Sequence, residues 1–142
     1  MRILEICTLT DSQIADLLGL MKELNAELKV TPEMQRRAVG APGTRIFAAE
    51  NDAKQIVGCA TLCVYESPTG RKASVEDVVV TSACRGQGIG RALLQRIIDF
   101  AGSKLSPIDL HLTSNPCRQE ANALYLSLGF EKRDTNVFKL SL

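Results

Sequence analysis

Alternation comes first along this chain. Ile3, Leu4 and Ile6 predict a strand over Arg2 to Thr8. From Thr10 the apolar period lengthens: Ile14, Leu17, Leu18, Met21, Leu24 and Leu28 recur at helical spacing, and Thr10 with Gln13 supplies a capping box, so a helix is predicted through Lys29. Thr31 and Pro32 restart a shorter helix to about Val39, and Gly40, Pro42 and Gly43 end it. Two β-rich runs, Arg45 to Glu50 and Gln55 to Tyr65, flank Asn51, Asp52, Ala53 and Lys54 and read as a hairpin. A second turn, Ser67 to Gly70, leads into Lys72 to Val80, which completes an antiparallel meander.

The second half alternates helix and strand. Leu93, Leu94, Ile97, Ile98, Ala101 and Leu105 form one apolar face, while Arg91, Gln95, Arg96 and Asp99 point away. Pro107 precedes a short strand, Ile108 to Thr113, which must lie parallel to the 72 to 80 strand because a helix joins them. A last helix, about Arg118 to Leu128, stops at Gly129, with Phe130 placed as the hydrophobic contact beyond a C-terminal cap. Val137 to Leu142 reads as a closing strand. The order is β, α, α, β, β, β, α, β, α, β, a mixed-sheet α/β chain, and residues 1–142 are expected to form a single domain.

Composition narrows the function classes. The chain has 142 residues, enough to bury roughly two-thirds of its unfolded surface in one core. Seventeen basic against 16 acidic residues leave a net charge of +1, which gives no sign of a nucleic-acid or membrane partner. With no tryptophan, two tyrosines and four phenylalanines there is little aromatic surface for stacking on bases. The cysteines at 7, 59, 63, 84 and 117 show no zinc spacing, so no metal is expected. No leader-like segment and no apolar run near about 18 residues occur, which makes a cytoplasmic, soluble chain the expectation.

Chemistry concentrates in Val75 to Lys104, VEDVVVTSACRGQGIGRALLQRIIDFAGSK. A β-branched run passes through Arg85, Gly86, Gln87, Gly88, Ile89 and Gly90 into an amphipathic helix. Strand, glycine loop and helix build an anion site from backbone, because the first helical N–H groups have no internal partner and the helix dipole is positive there. A dinucleotide fingerprint would want a small residue where Arg91 stands, and a Walker A loop would want Gly-Lys-Ser/Thr, which is absent. The stretch instead resembles the pyrophosphate loop of the GNAT superfamily of N-acetyltransferases, through Arg85, Gly88 and Gly90. Asn122, Leu124, Tyr125, Gly129 and Phe130 are similar to that family's second motif, and the element order is the family's order.

The resemblance implies a central, mostly antiparallel sheet splayed between two parallel strands, with helices on both faces. It also implies acetyl-CoA as co-substrate and transfer of its acetyl group, in a ternary complex, to a primary amine of a small molecule or peptide. Backbone N–H groups of Gln87, Gly88, Ile89 and Gly90 would hold the pyrophosphate, with Gly86 in the same loop and Arg85 and Arg91 adding charge at its rim. Val78, Val79 and Val80 would pair through their main chain with the pantetheine arm, an N–H near Val79 polarising the thioester carbonyl. Tyr125 would protonate the departing thiolate, and Asn122 would contact the arm or a water. Arg118 stands where many family members carry an asparagine, which suggests a charge contact with the coenzyme.

Glu76 and Asp77 are the candidates for the base that frees the amine. Strand parity sends them to opposite faces, and Glu76 is favoured. His111 reads as a structural histidine, and Cys84 or Cys117 could support an acetyl-cysteine route, with direct transfer preferred. Two alternatives keep the loop: a transferase for another acyl-CoA, and a non-catalytic acyl-CoA sensor lacking base and acid. The acceptor would be set by about Leu20 to Thr44 and by the Tyr65 to Lys72 turn. Edge pairing by the last strand makes a homodimer an expectation.

Overall fold

Local signals set the first elements of the computed structural model, which describes all 142 residues. After strand β1 (Arg2–Ile6), Thr10 caps helix α1 (Asp11–Leu24): its hydroxyl accepts from Gln13 N–H, and the Gln13 side chain accepts from Thr10 N–H. Thr31 caps α2 (Pro32–Gly40) by accepting from Met34 N–H, with Pro32 where its missing N–H costs nothing. Strands β2 (Thr44–Glu50), β3 (Ile56–Ser67) and β4 (Gly70–Val80) follow, then a short 3₁₀ turn (Ser82–Cys84), α3 (Ile89–Lys104), β5 (Leu110–His111) and α4 (Gln119–Ser127). The chain divides into two compact units, Met1–Leu112 and Thr113–Leu142.

In the first unit the strands form one five-stranded sheet in the order β1-β2-β3-β4-β5. The first four pair antiparallel, and β5 joins β4 in parallel. The mixed sheet is therefore the one the sequence implied. Alternation in β2 sends Ile46 and Ala48 under Leu17 and Leu20 of α1, while Phe47 points to the other face and meets Phe100 of α3, ring centroids 6.0 Å apart. Helices thus cover both faces. Leu93, Leu94 and Ile97, the buried stripe of α3, have no exposed surface, and neither do Phe47 and Leu62.

Three sequence expectations are corrected. Helix α1 stops at Leu24 instead of Lys29, because Asn25 is extended and its side chain accepts from Glu27 N–H, a local bond that competes with helical continuation. The strand expected over Ile108 to Thr113 narrows to Leu110–His111, paired only through Ala73 and Ser74. Val137 to Leu142 forms no strand: Val137, Phe138, Leu140 and Leu142 are 73%, 89%, 82% and 114% exposed, so the segment has apolar alternation without a ladder.

The second unit contains α4 and its stop signal. Gly129 is left-handed at φ 97°; its N–H donates to Leu126 O and that of Phe130 to Tyr125 O, both at 3.1 Å. This is the Schellman pattern, and the Phe130 ring meets Tyr125 edge-on at 6.1 Å, as the glycine-aromatic pair predicted.

Candidate active site

The central stretch holds most of the candidate residues in one continuous track. Valines of β4 form its floor: Val75 and Val79 are buried, and Val78 and Val80 half-buried. Because β5 pairs only with Ala73 and Ser74, β4 has no ladder partner on that side from Val75 to Val80. An open strand edge of this kind accepts an extended chain by backbone pairing.

At Asp77 the strand is irregular. Thr61 faces Glu76 and Cys59 faces Val79, so Asp77 and Val78 together oppose Ala60 alone. This is a β-bulge, with Asp77 in the left-handed region at φ 51°. A bulge breaks side-chain alternation, so parity no longer assigns Glu76 and Asp77 to opposite faces, and both are exposed. Their surroundings differ. Glu76 accepts a hydrogen bond from the Ser74 hydroxyl. Desolvation, and secondarily the charge of Glu76, raises the Asp77 carboxyl above its ordinary range. Beneath it Cys59 donates its thiol to the Asp77 carbonyl at 3.8 Å; burial, with the charge of Asp77 adding, pushes that thiol up to about 12, so it is no nucleophile.

Beyond Val80 the chain turns into the glycine loop. Gly86 and Gly88 have φ 77° and 78°, and an added Cβ at either would meet nothing within 4 Å, so conformation and not crowding requires glycine there. Gly88 is the N-cap of α3: it provides no capping side chain, and the first turn carries no acidic residue. The positive end of a sixteen-residue helix is therefore left without a neutralising group of its own turn. Ile89 anchors that turn in the core, and Gly58 of β3 lets it approach, since a Cβ on Gly58 would lie 3.1 Å from Val79 O and 3.3 Å from Ile89.

Arg85 is partly occupied. Its Nε donates to Val80 O at 3.1 Å, and its guanidinium lies 4.0 Å from Glu23 of α1. Glu23 also accepts from the Thr81 hydroxyl at 3.0 Å and from Ser82 N–H at 2.9 Å. No pattern along the chain announces this contact, because its partners lie 58 and 59 residues apart. A cleft of about 410 Å³ opens beside the same turn, lined in part by Asp16, Glu23, Thr81 and Cys84.

Tyr125, Asn122 and Arg118 belong to the second unit. Tyr125 is 6% exposed; burial raises its phenol, and the positive charge of Arg118 offsets part of that rise. The Asn122 amide donates to Asn115 O at 3.1 Å, tying the entry of α4 to its first turn. His111 is exposed on β5, and Arg45 of β2 is bonded to Glu5 at 2.6 Å and lies over the Phe100 ring.

Comparison with known proteins adds to this geometry. A family model described as Acetyltransferase (GNAT) domain matches residues 42–132. N-acetyltransferase 8F1 of Rattus norvegicus is 36% identical over 88 residues, 61% of this chain and 39% of the rat protein. The chain spans about two fifths of the length of the curated relatives it matches. An acetyltransferase of Trypanosoma brucei is 24% identical, with TM-score 0.74 over 99% of this chain and 100% of that one. An aminoglycoside acetyltransferase from an uncultured soil metagenomic sample, in complex with sisomicin, has TM-score 0.82 and 18% identity over 99% of this chain and 95% of that one. At these identities the two solved structures bear on the fold.

Proposed function

The chain belongs to the GNAT acetyltransferase family, and from that premise we propose that it moves an acetyl group from acetyl-CoA to a primary amine of a small molecule or peptide. The observation that carries this reading is the uncapped, glycine-led start of α3 at the end of a strand whose edge is open. Amides of Gln87, Gly88, Ile89 and Gly90 hold the pyrophosphate at the positive helix end, and Arg91, in the first turn, adds charge. The pantetheine arm pairs along Val78 to Val80, and a main-chain N–H near Val79 polarises the thioester carbonyl. An amine acceptor accords with the rat relative's being an N-acetyltransferase, and the soil protein of the same fold was solved with sisomicin.

The step is direct. The amine nitrogen attacks the thioester carbonyl carbon, the C–N bond forms, the C–S bond breaks, and coenzyme A leaves as a thiolate. The proton lost by the amine goes to a carboxylate, and Asp77 is the better base of the adjacent pair. Its bulge aims it out of the strand's alternation, and its affinity for a proton is raised, whereas Glu76 is engaged by Ser74. Tyr125, whose phenol burial keeps protonated, supplies the proton that the thiolate takes, with Arg118 at the N-cap of α4 and Asn122 in its first turn as coenzyme contacts. The acceptor is set by the stretch from about Leu20 to Thr44 and by the Tyr65 to Lys72 turn.

A thiol-release assay with acetyl-CoA and a panel of primary amines tests the reaction. The expected result is release that requires both an amine and Tyr125, falling on the order of 100-fold in Tyr125→Phe with coenzyme binding retained. Full release by Tyr125→Phe would remove that residue from the mechanism. Acetyl-CoA binding with no release for any amine would favour a sensor over an enzyme.

A further inference from the structure

Glu23 breaks a local rule. It stands in the last turn of α1, where the helix dipole is negative and a cation is favoured. Its hydrogen-bond partners lie across the chain, on the turn that leads β4 into the glycine loop: Oε1 accepts from the Thr81 hydroxyl and Oε2 from Ser82 N–H. Thr81 is the N-cap of the 3₁₀ turn but makes no side-chain bond to it, so Glu23 does the capping from another element.

Arg85 fixes the other end of the turn. Its Nε reaches back to Val80 O, and its guanidinium lies 4.0 Å from the same Glu23 carboxylate. Both groups of that ion pair are substantially exposed, at 58% and 35%, so the pair by itself contributes little. The two charge-assisted hydrogen bonds carry more, since bonds to ionised groups are the stronger kind. Together these contacts join the end of β4, the 3₁₀ turn and the first residue of the loop to α1, within one compact unit.

We infer that Glu23 is a positioning residue for coenzyme binding: by capping the 3₁₀ turn from α1 it holds the glycine loop in the conformation that receives the pyrophosphate. This rests on the functional reading above. Its consequence is that α1, whose last turn falls within the stretch expected to set acceptor choice, is mechanically tied to the donor loop. A loop preorganised in this way binds without first losing conformational freedom.

Calorimetric titration of CoA into the full chain, its Glu23→Gln and Glu23→Ala variants, Thr81→Val and Asp16→Asn tests the inference. Asp16 is the control, because it makes a similar carboxylate-to-backbone bond from α1, to Ile56 N–H at 2.9 Å, at the start of β3 instead of the loop. CoA should bind more weakly by on the order of ten-fold in Glu23→Ala, with Glu23→Gln and Thr81→Val between it and wild type, because hydrogen bonds to a charged group are lost. Asp16→Asn should keep wild-type affinity within about two-fold even where its melting temperature falls as far. Hydrogen exchange of the amides from 82 to 90 should quicken in the Glu23 variants and, to a lesser degree, in Thr81→Val, and should stay at the wild-type rate in Asp16→Asn.

Wild-type affinity in both Glu23 variants, or an equal loss in Asp16→Asn, would overturn the positioning role and leave the functional reading standing. A wild-type chain that binds no CoA would overturn that reading and this inference with it. Should Glu23→Ala not fold, Glu23→Gln and Thr81→Val decide the matter, since each removes part of the same contact and fills nearly the same space.

Discussion

Asp77 joins two departures from a regular strand, a left-handed backbone at φ 51° and a carboxyl whose pKa is raised by desolvation and then by Glu76. As the proposed base it must be ionised to work. As pH falls through its raised pKa, kcat/KM should fall, with the acid limb above the ordinary aspartate value of about 3.9. Asp77→Asn should remove that limb and lower kcat by roughly 100- to 10,000-fold. Stability should move the other way. A carboxyl with a raised folded pKa is held more favourably protonated than ionised, so its contribution is present at low pH and lost as pH rises through that value. The amide of Asp77→Asn carries no such penalty, and asparagine tolerates a left-handed backbone, so thermal melts at pH 8 should show the variant at least as stable as wild type. An activity loss with a lower melting temperature would argue that Asp77 is structural. At this scale the sequence offered the carboxylate pair but not the bulge, because strand parity is read from alternation and one extra residue resets it.

Elements whose signals are local were legible. Thr10 with Gln13 is a capping box in the sequence and in the structure, and Gly129-Phe130 ends α4 in the manner its residue types predicted. Gly129→Ala should therefore cost about 1 to 2 kcal/mol, the penalty of placing a Cβ on a left-handed backbone, measured by urea unfolding. An unchanged midpoint would mean that the cap contributes nothing. What the sequence missed depends on partners far along the chain. Glu23 has its meaning only beside Thr81 and Ser82, and Leu28, placed on the apolar stripe by spacing, lies beyond a helix that Asn25 had already stopped. Period alone also failed at the C-terminus. Phe138, Leu140 and Leu142 alternate as a strand does, but a strand needs a ladder, and these residues have none.

For the chain as a whole, 17 basic and 16 acidic residues nearly cancel, and no helix is long and apolar enough to cross a membrane. One ion-pair group bears on acid stability. Burial alone would raise the Glu50 carboxyl, but the hydrogen bond and charge of Arg2, with Lys54, outweigh it and hold the group below its ordinary range. A lowered folded pKa gives stability that is present above the unfolded value and lost as pH falls through the folded one. Melts of Glu50→Gln from pH 7 to pH 3 should accordingly show a lower melting temperature at pH 7 and a shallower acid decline than wild type. Parallel decline in the two would take Glu50 out of acid unfolding.

Everything proposed for this chain depends on the glycine loop, and calorimetric titration of acetyl-CoA into the wild-type chain and Gly88→Glu addresses it most directly. Glutamate at this position would bring a bulky anion to the proposed seat of the pyrophosphate and a Cβ to a backbone at φ 78°. Saturable binding to wild type is expected, and its loss in a Gly88→Glu variant that keeps its circular dichroism. Equal affinity in the two proteins, or no binding to wild type, would contradict the assignment of the loop.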